Sequence, residues 1–523
     1  MSNKIINLSE KFISVLFLIL MFGIGSAVTI FTTYFPNNYY EYCETVSYRV
    51  DWILINIIGI IFILGIMWVI SKNIVNKKSI YFIAFIHFLL GIFWSLYSKT
   101  PARADQLMVS EIAKQFLENN FVSLQEGQYL FHHPMQLSIV YYIEIIYSIF
   151  GTETYIIYIL NSLYTMISFI FLYKIGEIIF DNDNQKKYMK IFLSGMFLLD
   201  ILSIYIYGNN IGLMLSIISI YNLFRFYKVN KIKNIVCSCI TILMAMVIKS
   251  NYLVFFIALS ISLVIWGCKE AKRKNWIIVI SFIVVVLCGN KLINFGIVKY
   301  TEKIYGMEIS KGDQMISYIQ MGMAEKCDRA PGWYNAALNV EKSFSDNGYD
   351  VEKTKEEAKE YIKNRMVFFI THPFNTVVYY TQKLLSTWGE PAFQTIWTAE
   401  SQERTTDEIK DFVENHKILK SLFDGNINKI LIFYFDIYEI LVFFMAGFYV
   451  LKNIKNIKVE ELTLMLVFLG GFSFHLLWET KCIYVLPYYI MLIPIACKGL
   501  DEFYKKIKIE EQIEKLKNKL VKK

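Results

Sequence analysis

Apolar runs of about the length of a bilayer crossing recur along most of the chain. Residues 12–35 and residues 53–70 contain no charged side chain, and several later runs are nearly as apolar. Of the 523 residues, 55% are hydrophobic and only 19% are charged, so a soluble fold could not cover all of these runs. We therefore predict an all-α polytopic membrane protein with about twelve transmembrane helices and additional interfacial helices.

The basic residues lie in short loops between the apolar runs, which is the positive-inside pattern of cytoplasmic loops. Clear examples are the segments 72–78, 227–234, 268–275 and 452–458. Their distribution predicts a multi-pass protein of the cell membrane with both termini in the cytoplasm. It also accounts for the net charge of +8 without a nucleic-acid partner.

Residues 135–150 interrupt this alternation, because a full crossing there would put every later basic loop outside the cell. The run is short, follows Pro134 and carries Glu144. We therefore predict an interfacial or re-entrant helix at 135–150, with the next crossing at 155–173, although a spanning helix remains an alternative. This assignment places the polar loop 99–134 on the extracytoplasmic face.

Changes in composition divide the chain into four parts. We predict an N-terminal transmembrane module at 1–298 with the outer loop 99–134, a large α-rich extracytoplasmic loop at 299–426, C-terminal transmembrane helices at 427–500 and a basic cytoplasmic tail at 501–523. In the large loop, 351–366 has the charge spacing of a solvated helix, and 371–393 has the aromatic, amphipathic pattern of a helix on the membrane surface.

Ionisable residues recur in the segments predicted to be outside. Lys249, Glu479 and Lys481 lie at the ends of apolar runs, where a charge is costly and a functional role is the first hypothesis. Simpler explanations are that Lys249 extends to the interface and that Glu479 pairs with Lys481 across a tight turn. Together with the charged loop 99–134, these residues suggest a reaction site at the membrane surface for an anionic, membrane-bound substrate.

The order of these motifs resembles the GT-C superfamily of integral-membrane glycosyltransferases, in the branch of protein O-mannosyltransferases and lipid A aminoarabinose transferases. The first outer loop and the helix after it read "RADQLMVSEIAKQFLENNF" and "YLFHHPMQLSIVYYIEIIYSIFG". Lys249 matches a later lysine at an outer helix end, and the motif E-x-K-x-x-Y-x-x-P begins at Glu479. Many members carry Asp-Glu where this chain has Asp105-Gln106, so a second acid is unassigned.

The resemblance implies transfer of a hexosyl or pentosyl group from a polyprenyl-phosphate-linked donor to a glycan, lipid or protein acceptor of the cell envelope. Asp105 corresponds to the catalytic base, although it could instead only cap a helix that begins near Leu107. The other candidate residues bind substrate or phosphate: Arg103, Lys249, Glu479, Lys481, Tyr484, His132 and His133. The two histidines could alternatively bind a divalent metal ion, the only cofactor suggested, or form interfacial hydrogen bonds.

A different class of protein would share some of these features. A flippase or transporter of lipid-linked glycans also has many helices and intramembrane charges, and a glycan polymerase of another fold is a further alternative. Transporters tend to place polar residues near the middle of the membrane, whereas here few lie within spans, namely Asp200, Glu439 and His475. The sequence therefore favours an enzyme that acts at the membrane surface.

Overall fold

The computed structural model of the chain describes residues 3–35, 44–73, 78–270, 273–325, 329–400 and 412–507, without the side chains of residues 3, 4, 73 and 400. These residues are almost entirely helical. Most of the predicted basic tail, 508–523, lies outside the described residues.

The helices of the first half are Asn3–Ile30, Ile53–Asn73, Ser79–Ser98, Ala104–Leu117, Tyr129–His132, Leu137–Phe150, Tyr155–Ile179, Asp183–Ser194, Leu198–Ile201, Asn209–Val229, Ile232–Ile248 and Leu253–Glu270. Those of the second half are Arg273–Tyr305, Met315–Gly322, Val340–Asp346, Val351–Thr371, Pro373–Trp388, Thr395–Glu400, Lys417–Asp424, Asn426–Asn453, Val459–Leu477, Cys482–Ile490 and Ile493–Lys506. Strands Phe31–Tyr34 and Ser47–Val50 form one antiparallel hairpin, in which Phe31 pairs with Val50.

The predicted class, an all-α polytopic membrane protein, is confirmed. In the described part of the chain, eight helices are long and apolar enough to cross a membrane, or nine if the bent pair Cys482–Ile490 and Ile493–Lys506 forms one span. This number is lower than the predicted twelve. Ile232–Ile248 is apolar but shorter than the helices counted as spans. The chain from Asp183 to Ile204 is divided into several short helices.

Residues 135–150 form a helix too short to span a bilayer. Leu137–Phe150 has 14 residues, which correspond to about 21 Å of a hydrocarbon layer roughly 30 Å thick. It packs beside Ala104–Leu117, where the hydroxyls of Ser110 and Tyr147 lie 2.8 Å apart. This length supports the interfacial interpretation.

The polar region after Tyr305 contains the two long helices that the sequence predicts. Asp350 begins the helix Val351–Thr371, since its carboxylate accepts hydrogen bonds from the backbone N–H groups of Glu352 and Lys353. In Pro373–Trp388, Phe374 and Val377 are exposed, whereas Trp388 is buried against Phe468. That this helix lies on the membrane surface remains a prediction.

Buried contacts join this polar region to the turn that follows Val459–Leu477. Lys383 Nζ donates hydrogen bonds to the carbonyl oxygens of Gly322 (2.7 Å) and Trp478 (2.9 Å). The Thr480 N–H donates to Gly332 O at 2.8 Å. Gly332 has a φ of +81°, which strains other residues, and a Cβ there would lie 2.3 Å from Lys383 Cε, so a side chain would displace Lys383 from these contacts. The turn 478–481 is thus held by residues from the large loop.

Candidate functional site

Two cavities share a wall at one end of the transmembrane helices. The first, of about 350 Å³, is lined by Asp105 and Lys481 among others, and we call it the Asp105 cavity. The second, of about 220 Å³, is lined by Lys249, and we call it the Lys249 cavity. The residues that line both are Gln136, Tyr207, Tyr318, Glu479 and Tyr484. Segments far apart in the sequence therefore line two adjacent cavities.

Asp105 lies in the first turn of the helix Ala104–Leu117, with its side chain exposed toward the cavity. The N-cap position belongs to Arg103, so the alternative that Asp105 caps a helix beginning near Leu107 is wrong. Ala104 has a φ of +44°, a conformation that is costly for a residue with a Cβ. This strained start of the helix gives Asp105 its place in the wall of the cavity.

Arg103 is buried beside the cavity without lining it. Its guanidinium carbon lies 3.8 Å from the centre of the Trp397 ring, a cation–π contact. Trp397 does line the Asp105 cavity. Arg103, a predicted phosphate ligand, thus contacts a residue that lines the cavity but does not line the cavity itself.

Lys481 is held by a carboxylate that the sequence analysis missed. Lys481 Nζ lies 2.8 Å from both carboxylate oxygens of the buried Glu44. Arg329 also pairs with Glu44, and Gln394 Nε2 donates to its Oε1 at 3.0 Å. The predicted ion pair of Lys481 is therefore formed with Glu44 and not across the turn with Glu479.

Glu479 and Tyr484 lie in the wall between the two cavities. The Glu479 backbone N–H donates to Tyr318 O at 3.1 Å, which fixes the turn. Burial raises the pKa of the Glu479 carboxyl, while the positive charge of Lys481 opposes this shift. An acid of raised pKa thus lies between Asp105 on one side and Lys249 on the other.

Lys249 follows the helix Ile232–Ile248 and has neutral partners. Its Nζ donates to Asn209 Oδ1 at 2.6 Å and to Tyr207 O at 3.2 Å, and it lies 4.2 Å from the centre of the Tyr207 ring. Burial lowers the pKa of Lys249 to about 7. The side chain therefore does not simply extend to the interface.

His132 and His133 bind carboxylates. His132 Nδ1 lies 2.9 Å from Asp313 Oδ1, and His133 Nε2 lies 2.8 Å from Glu341 Oε1. Burial opposes protonation of His133, but Glu341 and Asp313 outweigh it and raise the pKa of this imidazole. Only His133 of the two lines the Asp105 cavity. Within the described ranges, no group of three or more His, Cys, Asp or Glu side chains is arranged to hold a metal ion.

Other residues of the site carried little signal in the sequence. Tyr207, Tyr318 and Trp397 line the cavities, but they are three of many aromatic residues in this chain. Glu44 could have been noticed as an acid in a loop on the same predicted face as Asp105. Its pairing with Lys481 spans 437 residues and has no local pattern.

Comparison with known proteins gives a family match for part of the chain. Residues 132–293 match the family model described as dolichyl-phosphate-mannose-protein mannosyltransferase. The matched segment includes Lys249 and Tyr207 and begins after Asp105. The chain has no match among curated proteins. The predicted resemblance to the GT-C superfamily is confirmed: residues 132–293 are similar to the dolichyl-phosphate-mannose-protein mannosyltransferase family, a GT-C family of membrane glycosyltransferases.

Proposed function

We propose that the protein transfers a hexosyl or pentosyl group from a polyprenyl-phosphate donor to an envelope acceptor, a glycan, lipid or protein, on the extracytoplasmic face. The observation that carries the proposal is the pair of adjacent cavities, because one is lined by the Asp105 carboxylate and the other by a partly buried lysine whose hydrogen-bond partners are neutral. The family description, which names a dolichyl-phosphate sugar, supports a lipid-phosphate donor.

The Lys249 cavity suits the phosphate end of a lipid carrier. Beyond Lys249 it is lined by Leu253, Ile257 and Phe474, which lie on helices long enough to span the membrane. Leu253 and Ile257 are more than two-fifths exposed and therefore offer an apolar surface for the polyprenyl chain of the carrier. Because the pKa of Lys249 is about 7, its amino group is only partly protonated at neutral pH. A bound phosphate would stabilise the protonated form.

The Asp105 cavity supplies a base for the acceptor. In the proposed step the Asp105 carboxylate takes the proton of an acceptor hydroxyl or amine. The acceptor atom forms a bond to the anomeric carbon while the bond from that carbon to the phosphate oxygen breaks. The electron pair leaves with the carrier phosphate, whose new charge Lys249 stabilises. Asp105 ends protonated and is restored by solvent.

Transfer can be distinguished from flipping in liposomes. The purified protein is reconstituted with polyprenyl-phosphate mannose labelled in the sugar, and mannose covalently bound to added envelope extract is measured. An enzyme breaks the sugar–phosphate bond, whereas a flippase moves the intact lipid. Translocation of intact donor without any cleavage would favour the transporter. Mass spectrometry of envelope glycans and glycoproteins from a deletion strain then identifies the acceptor.

The proposed face can be tested by labelling single cysteines with a membrane-impermeant maleimide in intact cells. Ser345 and Asn230 are exposed, and Val122 is 47% exposed, whereas its neighbour Ser123 is buried and unsuitable. Cysteines at Val122 and Ser345 in a cysteine-free variant should react, and one at Asn230 should react only after lysis. The reverse pattern would place the site in the cytoplasm.

A further inference from the structure

His475 lies near the end of the helix Val459–Leu477, and its ring lines the Lys249 cavity. It is 2% exposed. Aromatic neighbours hold the ring on several sides: Phe474, Tyr484 and Tyr488 have ring centres 5.0, 6.1 and 5.9 Å away. Neither Asp105 nor Lys249 needs this imidazole for the proposed step, so its role is open.

The two ring nitrogens of His475 differ. Nδ1 lies 3.3 Å from the carbonyl oxygen of Glu479, which can only accept a hydrogen bond. The hydrogen of a neutral imidazole is therefore on Nδ1, and Nε2 carries a lone pair and acts as an acceptor. Among the described residues, Nε2 is buried without a hydrogen-bond partner. A buried acceptor of this kind is normally satisfied by a ligand or an ordered water molecule.

The chemistry of Nε2 restricts what can bind to it. A lone pair requires an O–H or N–H donor, and a sugar-phosphate diester offers none at its phosphate oxygens. The transferred sugar carries hydroxyl groups. The cavity that contains His475 also contains Lys249, and Glu479 and Tyr484 connect it to the Asp105 cavity. A sugar between the carrier phosphate and Asp105 would pass along this shared wall.

We propose that His475 Nε2 accepts a hydrogen bond from a hydroxyl of the donor sugar, so that this wall is a sugar-recognition subsite. This inference rests on the proposed function, because it requires a glycosylated lipid phosphate in the Lys249 cavity. The backbone carbonyl of Glu479 sets the tautomer, and the aromatic neighbours fix the ring. His475 is thus a specificity-determining residue that distinguishes the glycosylated from the bare carrier.

Two substitutions separate the nitrogens. His475→Asn keeps a donor near the position of Nδ1 for Glu479 O but removes the acceptor, whereas His475→Gln can place an amide oxygen near the position of Nε2. His372→Asn is the matched control, because His372 is exposed and lies outside both cavities. All are measured for binding of short-chain polyprenyl phosphate, bare or carrying mannose, glucose or arabinose.

Wild type should bind at least one glycosylated carrier more tightly than the bare one. His475→Asn should weaken that complex about three- to ten-fold, as expected for one neutral hydrogen bond, and leave bare-carrier binding unchanged. His475→Gln should recover part of the loss. Equal weakening of bare and glycosylated carriers, or no preference of wild type for any sugar, would overturn the subsite. Lys249→Gln provides the separate test, because unchanged binding of every carrier by this variant would overturn the proposed function.

Discussion

Two partly buried lysines line neighbouring cavities, and their surroundings differ in charge. Lys481 forms an ion pair with Glu44, both of whose carboxylate oxygens lie 2.8 Å from the lysine Nζ. Lys249 has an amide oxygen, a backbone carbonyl and an aromatic face. Lys481 thus forms an ion pair within the protein, whereas the hydrogen-bond partners of Lys249 are neutral. Under the proposed function, this difference favours Lys249 as the ligand of the anionic donor.

This difference refines the roles of the two lysines, which the sequence treats alike. A phosphate beside Lys481 would also lie near Glu44 and Glu479, whose negative charges repel it. A phosphate beside Lys249 would share its cavity with Glu479 but not with Glu44. We therefore expect Lys249 to bind the carrier phosphate and Lys481 to organise the wall of the Asp105 cavity.

The largest expected effect is on transfer and concerns Asp105, the proposed base. Asp105→Asn keeps the shape of the side chain but cannot accept a proton, so transfer should fall about 10²- to 10⁴-fold with donor binding unchanged. Glu118→Ala is the control, because Glu118 is exposed at the other end of the same helix. Gln106 is unsuitable, since its Oε1 accepts the N–H of Ile206. An Asp105→Asn protein with near wild-type turnover would remove Asp105 as the base.

The second-largest effect is expected at Lys249, the lysine whose hydrogen-bond partners are neutral. Lys249→Gln should weaken binding of polyprenyl-phosphate mannose roughly ten- to a hundred-fold, the usual value of a charge-assisted hydrogen bond. Binding is measured with the purified, folded protein in detergent. A variant that binds the donor as tightly as wild type would move the phosphate to another cation.

The affinity for donor should also depend on pH through Lys249. With a pKa of about 7 in the free protein, this side chain is charged below neutral pH and neutral above it. Binding of the phosphodiester should therefore weaken by about ten-fold between pH 6 and pH 9, because the diester itself does not titrate in this range. Lys249→Arg stays charged and should flatten the profile. An unchanged slope in this variant would assign the titration to another group.

The smallest effect on donor binding is expected at Lys481, the lysine paired with Glu44. Lys481→Met should change the donor dissociation constant by less than about three-fold, and should mainly lower thermal stability because Glu44 is left buried beside fewer cations. Glu44→Gln in the same protein should recover part of that stability. Strong loss of donor binding in Lys481→Met, with stability intact, would show that the two lysines share one phosphate.

Local patterns in the sequence were sufficient for the helices and for several site residues. Hydropathy predicts the membrane class, charge spacing predicts the helix Val351–Thr371, and short motifs select Asp105, Lys249 and Tyr484, all of which line the two cavities. These signals are local because helix geometry repeats over a few residues.

Pairings between distant segments could not be predicted. Glu44 pairs with Lys481, Arg103 stacks on Trp397, and His132 binds Asp313, each through tertiary contacts that leave no periodic trace. A hydropathy run also does not reveal that the chain breaks into short helices near Gly195, which is one reason why fewer than twelve described helices are long and apolar enough to span a membrane. The role of each site residue remains a prediction from the family resemblance and the geometry.

The contact between Glu44 and Lys481 has a consequence for biosynthesis. Glu44 leaves the ribosome 437 residues before its partner, an interval of roughly 20 to 90 s at about 5–20 residues per second. Until then the Asp105 cavity lacks one wall, since the turn 478–481 is still missing. Under the proposed function, a chain that ends before residue 478 lacks Glu479 and Lys481 and should not transfer sugar.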